Sequence, residues 1–392
     1  MSDQQSKAIA KSLVPEYIRE LKIYQAGKPV DELAREKGLT KITKLASNEN
    51  PLGPSPFAIK EMTTGLWNLH QYPDMHAYKL KSALSKLYSL KMENIILGNG
   101  SEGIMAYIAR AFIGPGDEVL TSENTFIGFY IIARSVGAEL KMVPLTNDYR
   151  FNIDKLIQGI TEKTKVIYIA NPNNPTGTYI KKEEFDKLMT KVPNNVLVVL
   201  DEAYFEFAKA FQDYPDSMDY RYDNVLTLRT FSKAYGLSGI RVGYGFGNEN
   251  LITNLSKVKL PFEPNLIAQL GATSALNDSP HLERTLKNNE KLHTKTFDFL
   301  TEKKFKPIKS ITNFITWKTG SEEASNFLFQ ELLNRGVILR PLKANEMPDY
   351  VRVSIGTKEE MNHFYEAMNE VLPMYDKKYG RVELKKYVAK SH

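Results

Sequence analysis

Between about residue 80 and residue 250, short apolar runs alternate with amphipathic stretches, and this alternation constrains the fold more than any other feature of the chain. The runs are 94–97, 118–121, 140–143, 166–170, 196–200, 225–228 and 242–246. The intervening segments 102–112, 126–136 and 183–191 carry apolar residues at three-and-four spacing, the signature of a helix with one buried face. Strands apolar on both faces and separated by helices require a mostly parallel sheet covered on both sides, a three-layer α/β domain. In such a sheet chemistry collects outside the carboxyl ends of the strands, on the loops leading into helices.

The rest of the chain has a different rhythm. A charged amphipathic helix is expected over 281–303, then a short strand 314–317, a helix 323–335, strands 337–339 and 350–355, and a last helix from Lys358. These make a smaller α+β domain. The expected division is an N-terminal arm 1–45 packing with the small domain, a large domain 46–280 and a small domain 281–392. Within the arm, 15–21 reads as helical and 25–29 as a turn. A chain of 392 residues accommodates two such domains.

Composition narrows the classes of function. There is no cysteine, which excludes disulfides, thiolate nucleophiles and Cys-ligated metals. The six histidines show no metal-binding spacing, so no metal is expected. The charge balance, 52 Lys and Arg against 46 Asp and Glu, is scattered along the chain and gives no nucleic-acid footprint. The densest basic run, Lys377, Lys378, Lys385 and Lys386, reads as the solvated end of a helix. No signal-peptide-like stretch follows Met1, and no apolar run approaches the roughly 18 residues of a membrane helix. A soluble, cytosolic protein is expected.

Polar residues stand out at the strand ends. Asp201 closes the run 196–200, where a buried carboxylate is costly unless it meets a fixed positive partner. It reads either as a structural cap or as an acid that keeps a cofactor's pyridine nitrogen protonated. Tyr204 lies three residues on, and Glu202 points to the other side if the strand continues. After 166–170 comes Asn171–Gly177 with two prolines and a glycine, a rigid turn that can aim Asn174 inward. After 225–228 come Thr230, Ser232, Lys233 and Arg241. A lone loop lysine is ordinarily solvated, but one flanked by hydroxyls and cations offers an amine for a Schiff base and donors for a phosphate. The turn 98–103 sets the backbone amides of Gly100, Ser101 and Glu102 at a helix start, an anion site that nucleotide enzymes share. The dinucleotide fingerprint and the Gly-Lys-Ser/Thr pattern are both missing.

The order of these features, glycine turn, Asn-Pro-Thr-Gly, Asp-Glu-Ala-Tyr, then Ser-Lys with an arginine eight residues on, resembles the fold-type I pyridoxal-phosphate aminotransferases. KLASNENPLGPSP (44–56), QYPD (71–74), RTFSKAYGLSGIRVG (229–243) and RVSIGT (352–357) resemble the histidinol-phosphate aminotransferase subgroup, over nearly the whole chain. The resemblance implies the pyridoxal-phosphate-dependent transferase fold, with pyridoxal 5'-phosphate held by Lys233. It implies that Asp201 pairs with the ring nitrogen, Tyr204 and Asn174 bond the ring's phenolic oxygen, and Phe126 stacks on the ring. The phosphate falls to the amides of Gly100, Ser101 and Glu102, to Thr230, Ser232 and Arg241, and to Tyr72 from the partner subunit of a homodimer. Arg352 resembles the arginine that clamps the substrate's anionic group. Arg340 and Tyr24 match positions that grip the phosphate of histidinol phosphate, and Asn48 lines the same pocket.

The implied reaction is amino transfer from L-histidinol phosphate to 2-oxoglutarate by a ping-pong cycle. Two departures bear on the donor: Ile23 stands where a proline is common, and 342–347 lacks a glycine common between the two arginines. An aromatic-amino-acid aminotransferase and a phosphothreonine decarboxylase therefore remain open on the same scaffold. A nicotinamide-dependent oxidoreductase gives no role to Lys233 or Asp201. A non-catalytic regulator of this fold needs an added DNA-binding domain, which the sequence does not display.

Overall fold

The computed structural model describes residues 13–21, 23, 30–219 and 222–380. The chain forms two compact units. The first comprises Glu49–Asn288, Lys309–Asn313 and the described residues up to 23. The second comprises Asn289–Ile308, the described part of Ala26–Asn48 and the described residues from Phe314 onward.

The first unit is built on a seven-stranded sheet: β1 (Ile95–Gly98), β2 (Glu118–Ser122), β3 (Glu139–Val143), β4 (Thr164–Ala170), β5 (Leu197–Asp201), β6 (Val225–Thr230) and β7 (Gly243–Phe246), in the order β1-β7-β6-β5-β4-β2-β3. Strands β2 to β6 pair in parallel, and β7 runs antiparallel to both neighbours. The mostly parallel sheet expected from the doubly apolar runs is therefore present.

Period-two alternation within the strands separates two cores. On one face Val119, Val166, Tyr168, Val199 and Leu228 pack with Ile104, Ile108 and Phe129, from the helices Gly100–Phe112 and Ile127–Arg134. On the other, Leu120, Ile167, Ile169, Val198 and Leu200 pack with Leu156, Phe185 and Leu188, from the helices Ile153–Gly159 and Lys182–Met189. A third cluster joins Ile95, Leu97 and Tyr244 to Leu80, Leu84, Ala268 and Ala272. The three layers place the carboxyl ends of β4, β5 and β6 side by side at one edge.

The second unit holds a four-stranded antiparallel sheet, in the order Arg340–Pro341, Tyr350–Ser354, Phe314–Lys318, Lys306–Pro307. Thr43–Lys44 pairs in parallel with Val337–Ile338. The helices Glu322–Asn334 and Lys358–Tyr379 cover an apolar core around the fully buried Trp317, Leu328 and Phe364. Leu33 of the helix Val30–Lys37 packs with Leu333 and Ile338. The short helix Glu16–Arg19 belongs to the first unit. No helix among the described residues is long and apolar enough to cross a membrane. The expected turn at 25–29, and Lys385 and Lys386, lie outside the described residues.

Candidate active site

The site is assembled from strand ends. Ala170 and Asp201 are register partners, and the Asn171 amide donates to the Asp201 carbonyl at 2.8 Å. The Glu202 amide in turn donates to the Leu228 carbonyl at 2.8 Å. With the start of the helix Gly100–Phe112, these ends enclose a cavity of about 220 Å³. Ser101, Glu102, Phe126, Asn174 and Asp201 line it, as do Tyr204, Thr230, Ser232, Lys233 and Arg241. Ten residues separated by up to 140 positions in sequence, nine expected from their chemistry and Phe126 from the family resemblance, thus meet in one cavity.

Each wall has a local cause. The turn after β4 is fixed by Asn173, whose amide donates to the Thr178 carbonyl at 2.7 Å and whose side chain bridges Thr125 and the Asn124 carbonyl. Asn171 Oδ1 accepts from the Ile180 amide at 2.9 Å, so the loop that presents Asn174 is tied down at both ends. After β6, Thr230 Oγ1 accepts from the Ser232 amide at 3.1 Å and bonds Ser232 Oγ at 3.0 Å. The turn closes with Gly236 N–H to Lys233 O at 3.0 Å, which brings Lys233 Nζ to 5.9 Å from the Tyr204 ring centre.

At the anion end, Gly100 has φ +75°, and a Cβ there would lie 2.8 Å from Arg241 Nη2. A Cβ on Gly243 would lie 2.5 Å from the Gly100 carbonyl carbon and the Ser101 nitrogen. Only glycines let the start of β7 and the helix N-terminus approach this closely. Arg241 donates to Glu102 Oε2 at 3.0 Å, to the Ser238 carbonyl at 3.1 Å and to Ser232 Oγ at 3.4 Å.

Asp201 is the unusual group. Oδ2 accepts a 2.7 Å hydrogen bond from the Tyr168 hydroxyl, while Oδ1 is buried without a hydrogen-bond partner among the described residues. Burial pushes its carboxyl up to about 6, against the opposing pull of the Tyr168 hydroxyl. An unmet buried acceptor costs about 1–3 kcal/mol, so the Asp201 carboxylate, on a residue that lines the cavity, suits a cationic N–H donor.

Glu202, one residue on, leaves the cavity, as the strand alternation requires. Its Oε2 lies 2.7 Å from Arg229 Nη2 and 2.9 Å from Nε, and both side chains are fully buried.

Four expected site residues are placed elsewhere. Arg340 and Arg352 are register partners on adjacent antiparallel strands of the second unit, so both project from one face. Arg352 Nη2 donates to the Ala46 carbonyl at 2.9 Å, and its guanidinium lies 5.0 Å from the Phe314 ring centre. Ser354 Oγ accepts from the Asn48 amide and donates to Asn48 Oδ1, both at 2.8 Å. Tyr72 does not line the cavity; it is 81% exposed and stacks on Phe262 at 4.3 Å. Tyr24 lies outside the described residues.

Several contributors escaped the sequence reading. Ala170, Pro172, Ala203 and Ser238 also line the cavity. Gly128 makes room for Phe126, since a Cβ there would lie 2.6 Å from that ring. A glycine two residues after the aromatic was the available signal. Tyr168 looked like one more apolar position of a buried strand, and only its register reveals the hydroxyl on Asp201.

An amine, a buried carboxylate and an anion cradle at the carboxyl edge of a mostly parallel sheet define a site of aminotransferase type. The model of the class I and II aminotransferases matches residues 40–368. The chain is 40% identical to histidinol-phosphate aminotransferase 2 of Carboxydothermus hydrogenoformans, over 92% of this chain and 99% of that protein. It is 41% identical to histidinol-phosphate aminotransferase 2 of Pseudomonas fluorescens, over 91% of this chain and 96% of that protein. The crystal structure of histidinol-phosphate aminotransferase from Sinorhizobium meliloti in complex with pyridoxal-5'-phosphate is similar with a TM-score of 0.84 and 26% identity, covering 93% of this chain and 98% of that one. The chain belongs to the class I and II aminotransferases and, within them, to the histidinol-phosphate aminotransferase family.

Proposed function

We propose that this chain is a pyridoxal-5'-phosphate-dependent transaminase that moves the amino group of L-histidinol phosphate to 2-oxoglutarate, giving imidazole acetol phosphate and L-glutamate by a ping-pong mechanism. The observation that carries the cofactor is the unmet Asp201 Oδ1 in a cavity that also holds Lys233 and an anion cradle. When bound, the cofactor supplies an electron-withdrawing ring that accepts the electron pair of the substrate's α-carbon–hydrogen bond. Asp201 holds the proton on the ring nitrogen, and Asn174 and Tyr204 donate to the ring's phenolic oxygen. The aromatic face of Phe126 covers the ring. The amides at Gly100, Ser101 and Glu102, the hydroxyls of Thr230 and Ser232, and Arg241 hold the phosphate. Lys233 supplies the amine that retains the cofactor, and the same Nζ moves the proton at the substrate's α-carbon.

A phosphorylated donor is favoured by the pairing of Arg340 with Arg352. Register partners on adjacent antiparallel strands set two cationic side chains on one face of the sheet, which suits an anionic substrate group. In this reading residues 46–280 carry the cofactor, 281–392 supply the arginines, and 1–45 form an arm that contributes Tyr24 and, through the helix Val30–Lys37, packs with the small domain. Asn48 binds substrate beside the arginines. We also propose a cytoplasmic homodimer in which Tyr72 reaches the partner's phosphate. Its support is an exposed apolar strip in which Trp67 (85% exposed), Leu66 and Leu69 precede Tyr72.

The test is optical. Purified protein given pyridoxal 5'-phosphate is expected to show a near-visible absorbance band that Lys233→Ala abolishes. A protein that stays colourless ends the proposal. Competition between histidinol phosphate and phenylalanine or tyrosine, with 2-oxoglutarate as acceptor, then decides the donor; preference for the aromatic amino acids would overturn the phosphate assignment.

A further inference from the structure

We propose that Tyr168 is a positioning residue for Asp201: its hydroxyl holds Oδ2, fixes the carboxylate in one orientation and leaves Oδ1 as the oxygen presented to a ring nitrogen in the cavity. This rests on reading the cavity as the cofactor site.

The geometry starts in the sheet. Ala170 is the register partner of Asp201, and Tyr168 precedes it by two residues, so all three point to one face. A diagonal neighbour at this spacing is within reach of a tyrosine, and the 2.7 Å contact shows that the reach is used. The phenol is itself held: its ring stacks on Phe129 at 4.0 Å with 9° between planes, and Thr121 Oγ1 donates to the Tyr168 carbonyl at 2.8 Å. Burial raises the phenol far above its usual range, so it remains a proton donor at every working pH.

A carboxylate with one donor on one oxygen is not symmetric. A half-turn about its last bond merely exchanges two equivalent oxygens, but any smaller rotation breaks the Tyr168 bond, so the hydroxyl fixes the plane of the carboxylate and leaves the oxygen it does not hold, here Oδ1, to meet a ligand. It also favours the ionised form in a place where burial and the nearby Glu102 oppose it and the Ala203 amide and Lys233 support it.

Tyr168→Phe keeps the ring and its stack and removes only the hydroxyl. The dissociation constant for pyridoxal 5'-phosphate, from absorbance titration of cofactor-free protein, is expected to rise about ten- to a hundredfold, the scale of one hydrogen bond to a charged group. In an Asp201→Asn background the same change is expected to alter affinity by less than about threefold, because the hydroxyl acts through the charge. An affinity within about twofold of the parent, or equal losses in both backgrounds, would overturn the proposal, since mere packing leaves affinity unchanged and a direct contact ignores residue 201. The second arm compares Asp201→Asn with its double variant, so it stands even if the single variant does not fold. A single variant that fails to fold while the double variant folds reports the same coupling of hydroxyl to charge. A parent protein that binds no pyridoxal 5'-phosphate sinks the cofactor reading itself, and this proposal with it.

Discussion

Two carboxylates adjacent in sequence face opposite environments at the end of β5. Asp201 and Glu202 are both buried, at 4% and 1% exposure, yet only Glu202 has a full-strength counter-ion in contact. Arg229 clamps it, stacks on the Phe205 ring at 3.2 Å from its centre, and reaches Asp216 at 2.9 Å. Burial works against the Arg229 charge, but the carboxylates of Glu202 and Asp216 outweigh it and keep the guanidinium charged. Asp201 has a neutral hydroxyl on one oxygen and, among the described residues, no hydrogen-bond partner on the other, with only the Ala203 amide and the Lys233 charge favouring its ionised form from nearby. The difference separates a carboxylate that the fold completes from one that it leaves for a ligand to complete. Stability is vested in the first and function in the second.

The largest effect is expected on the completed side. Glu202→Ala leaves Arg229 buried with Asp216 alone, and breaking a buried ion pair from one side costs about 3–5 kcal/mol. Urea unfolding of cofactor-free protein at neutral pH measures it. A loss no larger than that of an exposed ion pair would mean that Asp216 and the aromatic rings suffice for Arg229, and the contrast with Asp201 would fail.

On the unfinished side the sign reverses with pH. The Asp201 carboxyl lies at about 6 in the folded chain against an ordinary 3.8, so between these values the folded state binds the extra proton. Stability from this group is full below the ordinary value and is lost as pH rises through the folded one. Relative to Asp201→Asn, the cofactor-free parent should lose on the order of 3 kcal/mol between about pH 4 and pH 7. The other buried carboxyls are common to both chains and cancel. Burial pushes the ion-paired Glu202 up as well, to about 7, so the shift marks burial and not the missing partner; a flat difference across that range would mean that burial does not raise Asp201.

How much of this was legible depended on whether a feature is local. The seven strands could be read because residues such as 166–170 and 196–200 are apolar on both faces, and Asp201 and Lys233 because their chemistry is conspicuous at strand ends. The helix Leu266–Leu276 was not anticipated: small and apolar residues on most of its circumference blur the periodic signal. The helices Pro56–Gly65 and Tyr78–Tyr88 were also missed. The roles of Tyr168 on Asp201, Arg229 on Glu202 and Arg340 beside Arg352 were not legible as contacts. Each depends on strand order or register, which one strand's sequence does not carry.

The smallest effect separates burial from charge as the origin of the Asp201 shift. Glu102 pairs with Arg241 at 3.0 Å with both side chains nearly half exposed, so Glu102→Gln should cost only about 0–1 kcal/mol of stability. The same carboxylate also pushes Asp201 upward, but burial is the larger cause. The pH at which the parent diverges from Asp201→Asn should therefore move down slightly when both are compared in the Glu102→Gln background, with most of the shift remaining. If the divergence instead fell back to the ordinary carboxylate range, repulsion from Glu102 would be what sets Asp201 apart. The site would then be poised by its anion end, where a bound phosphate adds further negative charge, and the two carboxylates would differ in their neighbours' charge rather than in how completely the fold surrounds them.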